Sequence, residues 1–284
     1  MLNKKPKAGK QKVKVAFQGE RGAFSESAVY ASFGKKVEVK PCRDLTEVFE
    51  DVSKQETRFG VVPIENSLEG SVNQTYDLFL THDLKVCGEI ILRVSHCLIA
   101  NPGVTLADIK TVYSHPQALA QCRIFLERLG SELVPTYDTA GSVKMLKEKG
   151  LKNAAAVASA KAAEIYGMQI LSREIEDNPT NHTRFFVLSK EDSPITGKDK
   201  TSIIFAAAHT PGSLYQALSE FAKRNINLTK IESRPTKQKA WEYNFYLDFE
   251  GHRTEENCAA ALKALQKSGA FLKILGSYPK ASNA

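Results

Sequence analysis

The chain has 284 residues, 42% of them apolar and 25% charged, which is enough for more than one core and ordinary for a soluble globular protein. Its formal charge of +7 is concentrated in Lys4, Lys5, Lys7, Lys10, Lys12 and Lys14. The rest is nearly neutral, so residues 1–12 read as a disordered basic tail and not as a nucleic-acid or membrane-binding arm. No apolar run follows the tail to make a secretory signal and none later reaches the length of a membrane span, so a cytoplasmic location is expected. Cys42, Cys87, Cys97, Cys122 and Cys258 are odd in number, form no CxxC pair and sit mostly among apolar neighbours, which predicts buried thiols with neither disulfide nor zinc.

Val13 to Gln18 reads as a strand, and Phe24 to Phe33 as a helix on which Ala28, Val29 and Phe33 recur at helical spacing. Val37 to Pro41 is a second strand. A helix starts at Asp44, whose carboxylate can cap free amides while Leu45, Val48 and Phe49 make an inner face. Phe59 to Pro63 is a buried strand and Val72 to Leu80 a helix, an alternation that predicts a largely parallel sheet with helices on both faces.

Leu84 to Ala100 is too charged for a membrane and too long for one ordinary strand, and is read as the chain crossing to a second lobe. Strands then follow at Thr111 to Tyr113, Glu132 to Tyr137, Ala154 to Ala158 and Met168 to Leu171, with helices at Gln117 to Leu129, Ser142 to Glu148 and Ser159 to Ile165. Arg184 to Ser189 is a strand returning to the first lobe. The catalytic candidate region is thus 13–189, with lobe one over about 13–93 plus 175–189, lobe two over about 94–174, and a ligand cleft expected between them. Residues 190–200 have linker composition and predict separable units. Over 201–280, strands at Thr201 to Ala208, Leu228 to Pro235, Trp241 to Glu250 and Phe271 to Leu275, with helices at Pro211 to Lys223 and Glu255 to Lys267, spell the ferredoxin-like βαββαβ order.

The histidines lack metal-ligand spacing, and the glycines between Gln18 and Phe24 fit neither a Walker loop nor a dinucleotide fingerprint, so no metal and no cofactor are expected. Three polar segments follow predicted strands, where loops meet ligands in open parallel sheets. Pro63 to Ser71 contains Glu65, Asn66 and Ser67. Tyr113 to Cys122 contains Ser114, with Gln117 and Gln121 four apart on one helical face and a helix N-terminus suited to an anion. Asn178 to Phe186 runs from a polar cluster into an apolar strand. There Arg184 can hold a carboxylate with two bonds while the Thr183 hydroxyl donates to a departing oxygen.

Four segments occur in one order: Phe17-Gln18-Gly19-Glu20-Arg21-Gly22-Ala23-Phe24-Ser25, Gly60-Val61-Val62-Pro63-Ile64-Glu65-Asn66-Ser67, Ser114-His115-Pro116-Gln117 and Thr183-Arg184-Phe185. With the later Glu232-Ser233-Arg234-Pro235, they resemble the prephenate dehydratase family from Val13 to about Tyr278. The resemblance implies two α/β lobes of periplasmic-binding-protein-like topology around a catalytic cleft, then an α+β ACT domain that binds L-phenylalanine and inhibits the enzyme. The implied reaction is the decarboxylating dehydration of prephenate to phenylpyruvate. Thr183 falls at the family's catalytic threonine, Asn66, Ser114 and Gln121 at polar active-site positions, and Arg184 and Phe185 complete the same motif. Glu65, Ser67 and Phe185 are expected to contact substrate.

For L-phenylalanine, Gly212 and Ser213 can offer backbone amides to the carboxylate, although Ser213 departs from the family's commonest Gly-Ala-Leu pattern. Glu232 can receive the ammonium group, Leu214 and Ile231 the ring, and Asn225, Asn227, Ser233 and Arg234 complete the expected pocket. ACT units pair edge to edge, so a homodimer or homotetramer is expected. Arogenate dehydratase performs the same elimination on an amine-bearing substrate and stays open as an alternative, as does a non-catalytic amino-acid sensor. The intact Thr183-Arg184-Phe185 segment separates enzyme from sensor.

Overall fold

The structure, a computed structural model, describes residues 12–236, 242–267 and 271–281. Lys4, Lys5, Lys7 and Lys10 of the basic tail, and Trp241 at the start of a predicted strand, lie outside the described residues. The chain opens with β1 (Lys14–Gln18), α1 (Phe24–Phe33), β2 (Glu38–Cys42), α2 (Leu45–Ser53) and β3 (Phe59–Asn66), followed by the short β4 (Gly70–Ser71) and α3 (Asn73–Thr81). The stretch read as a crossing holds two strands, β5 (Lys85–Arg93) and β6 (Cys97–Ala100). Then come β7 (Thr111–Ser114), α4 (Pro116–Gln121), α5 (Arg123–Leu129), β8 (Glu132–Pro135), α6 (Thr139–Lys149), β9 (Ala154–Ala158), α7 (Ala160–Tyr166), β10 (Gln169–Arg173) and β11 (His182–Ser189). The C-terminal part is β12 (Asp199–Ala206), α8 (Ser213–Ala222), β13 (Leu228–Pro235), β14 (Tyr243–Glu250), α9 (Glu256–Lys267) and β15 (Leu272–Pro279).

Local chemistry explains several boundaries. Asp44 caps α2 as its sequence suggests, accepting from the Glu47 amide at 2.9 Å, and Asp138 and Ser159 do the same for α6 and α7. The single helix expected from Gln117 to Leu129 is instead two, broken at Cys122. Asp177 causes the break: its amide takes the Gln121 carbonyl at 2.7 Å and its carboxylate takes the Ile124 amide at 3.0 Å, so two helical groups are satisfied from outside.

By packing, the chain divides into two compact units, one running up to Val61 and joined by Ser95–Asp177, the other made of Val62–Val94 and the residues from Asn178 onward. In the first unit β1 pairs in parallel with β2 and with the first half of β3. A five-stranded sheet there has the order β10-β6-β9-β7-β8, and β6 runs antiparallel to both of its neighbours. Its core gathers Leu98, Val112, Leu119, Leu126 and Val157. In the second unit the end of β3 turns back through β4, and β11 pairs antiparallel with β5. The largely parallel arrangement expected from strand and helix alternation is therefore corrected to mixed sheets: β6 follows β5 and β11 follows β10 without an intervening helix, and β6 runs antiparallel to β9 and β10 as β11 does to β5.

The C-terminal part has the βαββαβ order and the sheet order β13-β14-β12-β15, antiparallel throughout. Ile203, Phe205, Leu247 and Phe249 turn one face of this sheet onto Phe221, Leu262 and Leu265 of its two helices. Strand alternation sends Ser202, Asp248 and Tyr278 to the other face, and they are buried too. That second face rests on the elements of the same unit that carry β5 and β11, and β15 packs so closely on β5 that Gly276 has no room for a β-carbon beside Val86.

Candidate active site

Asn66 ends β3, which lies beside β11 in the sheet. Its Oδ1 accepts from the amides of Leu68 at 2.9 Å and Glu69 at 3.1 Å, which fixes the side-chain amide and directs Nδ2 away from its own loop. Nδ2 donates to Asn181 Oδ1 at 2.7 Å and to Thr183 Oγ1 at 3.0 Å. Because Thr183 Oγ1 accepts that bond, its own hydroxyl hydrogen is left to donate elsewhere. Asn66 and Asn181 are buried while Thr183 is half-buried, so the orienting groups are shielded and the hydroxyl lies nearer solvent. Ser67 holds the two strands in this relation. Its amide donates to the His182 carbonyl at 2.8 Å, and its Oγ accepts from the His182 amide at 2.9 Å and donates to the Thr180 carbonyl at 3.3 Å.

Arg184 follows Thr183 and points to the opposite face of β11. There Nε bonds Glu89 at 2.8 Å, Nη1 bonds Asp248 at 2.5 Å and Nη2 donates to the Tyr278 hydroxyl at 3.0 Å. The guanidinium also lies over the Phe186 ring, 4.8 Å from its centroid. Burial opposes its charge, but Asp248, Tyr278 and Glu89 overcome that cost and hold Arg184 protonated well above its ordinary range. Glu65 behaves likewise on β3, accepting from Lys230 Nζ at 2.8 Å. The Arg184 and Glu65 side chains, both expected at the substrate, are thus engaged in these ion pairs. Phe185, also expected to contact substrate, is 2% exposed and lies among the core residues.

Ser114 and Gln121 belong to the first unit. Ser114 ends β7, fully buried, and donates to the Val157 carbonyl at 2.6 Å. Gln121 ends α4, and its Oε1 stands 3.0 Å from His96 Nε2. An amide oxygen only accepts, so His96 bonds it as the Nε2–H tautomer. His96 is 2% exposed, its Nδ1 has no hydrogen-bond partner among the described residues, and Phe24 meets its ring edge-on at 5.3 Å. Burial lowers its pKa below the ordinary value, which keeps the ring neutral.

In the C-terminal part a cavity of about 740 Å³ is lined by Gly212, Ser213, Leu214, Tyr243, Phe245 and Phe271 among others. Gly212 adopts φ of 83°, and Ser213 Oγ donates to the Ala208 carbonyl at 2.5 Å. The remaining residues expected to bind phenylalanine are not brought to this cavity. Asn225 and Asn227 follow the other end of the ten-residue α8, roughly 15 Å away. Ile231 and Ser233 face outward from β13, Glu232 bonds the Ser71 hydroxyl and pairs with Lys230 at 3.2 Å, and Arg234 pairs with Asp77 at 3.2 Å and also bonds Asn73.

Residues 15–193 match the family model for prephenate dehydratase and residues 201–266 that for the ACT domain. The chain belongs to the prephenate dehydratase family. The bifunctional chorismate mutase/prephenate dehydratase of Aquifex aeolicus is 46% identical over 274 residues, covering 95% of this chain and 75% of that one. The chloroplastic arogenate dehydratase/prephenate dehydratase 2 of Arabidopsis thaliana is 46% identical over 280 residues, covering 94% and 73%. Among solved structures, prephenate dehydratase from Arthrobacter aurescens in complex with L-Phe superposes with a TM-score of 0.87 at 35% identity, covering 94% of this chain and 90% of that one.

As a member of the prephenate dehydratase family the chain is a carbon–oxygen lyase with a C-terminal ACT domain. Among the described residues no helix is long and apolar enough to cross a membrane. Two residues of the dehydratase region escape notice in the sequence. Asn181 sits in a polar run that reads as turn formers, although its spacing of two from Thr183 places both on one side of an extended chain. His96 lies in a stretch read as a crossing, with no local signal that its partner is Gln121.

Proposed function

We propose that the protein is a prephenate dehydratase, converting prephenate to phenylpyruvate, carbon dioxide and water, under inhibition by L-phenylalanine. The observation that carries this reading is the Asn66 to Thr183 bond, which uses the threonine oxygen as acceptor and leaves its hydrogen for a substrate oxygen. In the reaction the ring C–O bond breaks, and the pair released from the departing carboxylate moves into the ring. The leaving hydroxide takes up a proton to become water. A hydrogen bond from Thr183, strengthened by the one it accepts, stabilises that leaving oxygen. The proposed catalytic region spans 13–189, followed by a linker from 190 and the ACT domain to about 280, with Asp199 and Lys200 at the end of the expected linker already in β12.

Inhibition by L-phenylalanine is supported by the ACT match, by the relative solved with L-Phe, and by the cavity at Gly212 to Leu214, where aromatic and polar side chains meet. Assembly into a homodimer or homotetramer is part of the same proposal, since β13 is an edge strand that presents Ile231 outward, 45% exposed. Arogenate remains the second substrate, because relatives of both names match equally well. Purified protein given prephenate should form phenylpyruvate, read by its absorbance, with arogenate assayed in parallel for phenylalanine. Thr183→Ala should lower turnover at least about a hundredfold, the lower range for a positioned proton or hydrogen-bond donor. Near-normal turnover in that variant would remove Thr183 from the mechanism.

A further inference from the structure

The two residues at the centre of the proposed site each have a neighbour bound to the ACT domain. Asn66 follows Glu65, which accepts from Lys230 of β13; Lys230 also reaches the Ser71 hydroxyl at 3.1 Å. Thr183 precedes Arg184, held by Asp248 of β14 and Tyr278 of β15. Asp248 is itself fixed by Ser202 at 2.5 Å, and Ser202 lies 2.6 Å from the Tyr278 hydroxyl. Glu89, on the far side of Arg184, is paired with Lys200 of β12 at 3.0 Å. The side chains of Arg184, Glu89 and Asp248 are 12%, 0% and 8% exposed, so these are not solvent-screened pairs that part freely. Adjacent α-carbons are about 3.8 Å apart across a rigid peptide, so displacing Arg184 displaces Thr183.

We infer that Asp248 and Lys230 of the ACT domain are positioning residues for the dehydratase site, Asp248 acting through Arg184 on Thr183 and Lys230 through Glu65 on Asn66. The inference rests on the reading of Thr183 and Asn66 as the reacting pair. One face of the ACT sheet thereby completes the site from behind, and anything that shifts β13 or β14 alters the orientation of the donor hydroxyl.

The test uses full-length protein with prephenate. Asp248→Asn keeps shape and removes charge; it should lower kcat about tenfold with KM within about twofold, the pattern of a lost transition-state interaction. Lys230→Met should also lower kcat, and Lys230→Arg should restore most of the loss by keeping a cation on Glu65. In a Thr183→Ala background, Asp248→Asn should add less than about twofold, since its effect passes through the missing hydroxyl. Should Asp248→Asn fail to fold, Tyr278→Phe carries the same comparison, because it keeps the ring packed on Phe186 and removes only the hydroxyl. A folded variant with wild-type kcat, or the full tenfold loss repeated on Thr183→Ala, overturns the inference. Full turnover in Thr183→Ala alone instead overturns the reading of the site beneath it.

Discussion

Arg184 shows how a residue's neighbours set its role. Beside Thr183 in sequence it looks like a carboxylate grip, yet its three bonding nitrogens are occupied by Glu89, Asp248 and Tyr278. Arg184→Ala leaves two nearly buried carboxylates without their shared cation, and a loss of about 3–5 kcal/mol is expected in urea denaturation. Arg184→Lys should recover only part, because a point charge replaces a fork that reaches three partners. His96 titrates in the opposite sense to a paired base. The unfolded chain binds a proton near the ordinary value of about 6.5, whereas burial makes the folded ring bind it only at lower pH. Stability is therefore complete above that value and falls by up to about 1.4 kcal/mol per pH unit through the window below it. Denaturation of wild type and His96→Gln between roughly pH 7.5 and 5.5 should show that extra decline only in wild type.

Among the elements, periodic patterns within one segment were reliable guides. Phe24–Phe33 and Ala154–Ala158 form over the residues that the apolar spacing predicts, and Asp44 caps the helix it precedes. Where a partner from outside intervenes, the pattern misleads, as at Cys122, where Asp177 divides α4 from α5. Strand direction departs from the pattern for a related reason. Alternating strands and helices imply parallel crossovers, but β5 and β6 follow one another with no helix between them. Gly276 tests how tightly the ACT sheet is seated. Gly276→Ala forces a β-carbon into the Val86 carbonyl, so a loss of about 1–3 kcal/mol is expected, read as a lowered midpoint for the full chain in urea.

For the molecule as a whole, linker composition suggests that the chain could end near Ser189 and keep its activity. The docking of the ACT sheet argues otherwise. Such a truncation removes Asp248 and Tyr278 from Arg184 and Lys200 from Glu89, and it uncovers Phe186 and Tyr76, which pack on Tyr278 and Tyr246. The shortened protein should lose both urea resistance and turnover. A truncated chain with the wild-type midpoint and kcat would show that the interface is dispensable.

The βαββαβ order of residues 199–279, the capping residues and the polar segments that include Asn66 and Thr183 are all legible in one dimension. Each depends on residues a few positions apart, where helix and strand periods and turn chemistry act directly. The partners of those residues are not legible in this way. Asn66 meets Thr183, His96 meets Gln121 and Arg184 meets Asp248 across separations of 117, 25 and 64 residues. No local propensity encodes such pairings; they arise when sheets form and alternate side chains are sent to opposite faces. That alternation is why Thr183 and Arg184, adjacent in one motif, serve different sides of the same strand.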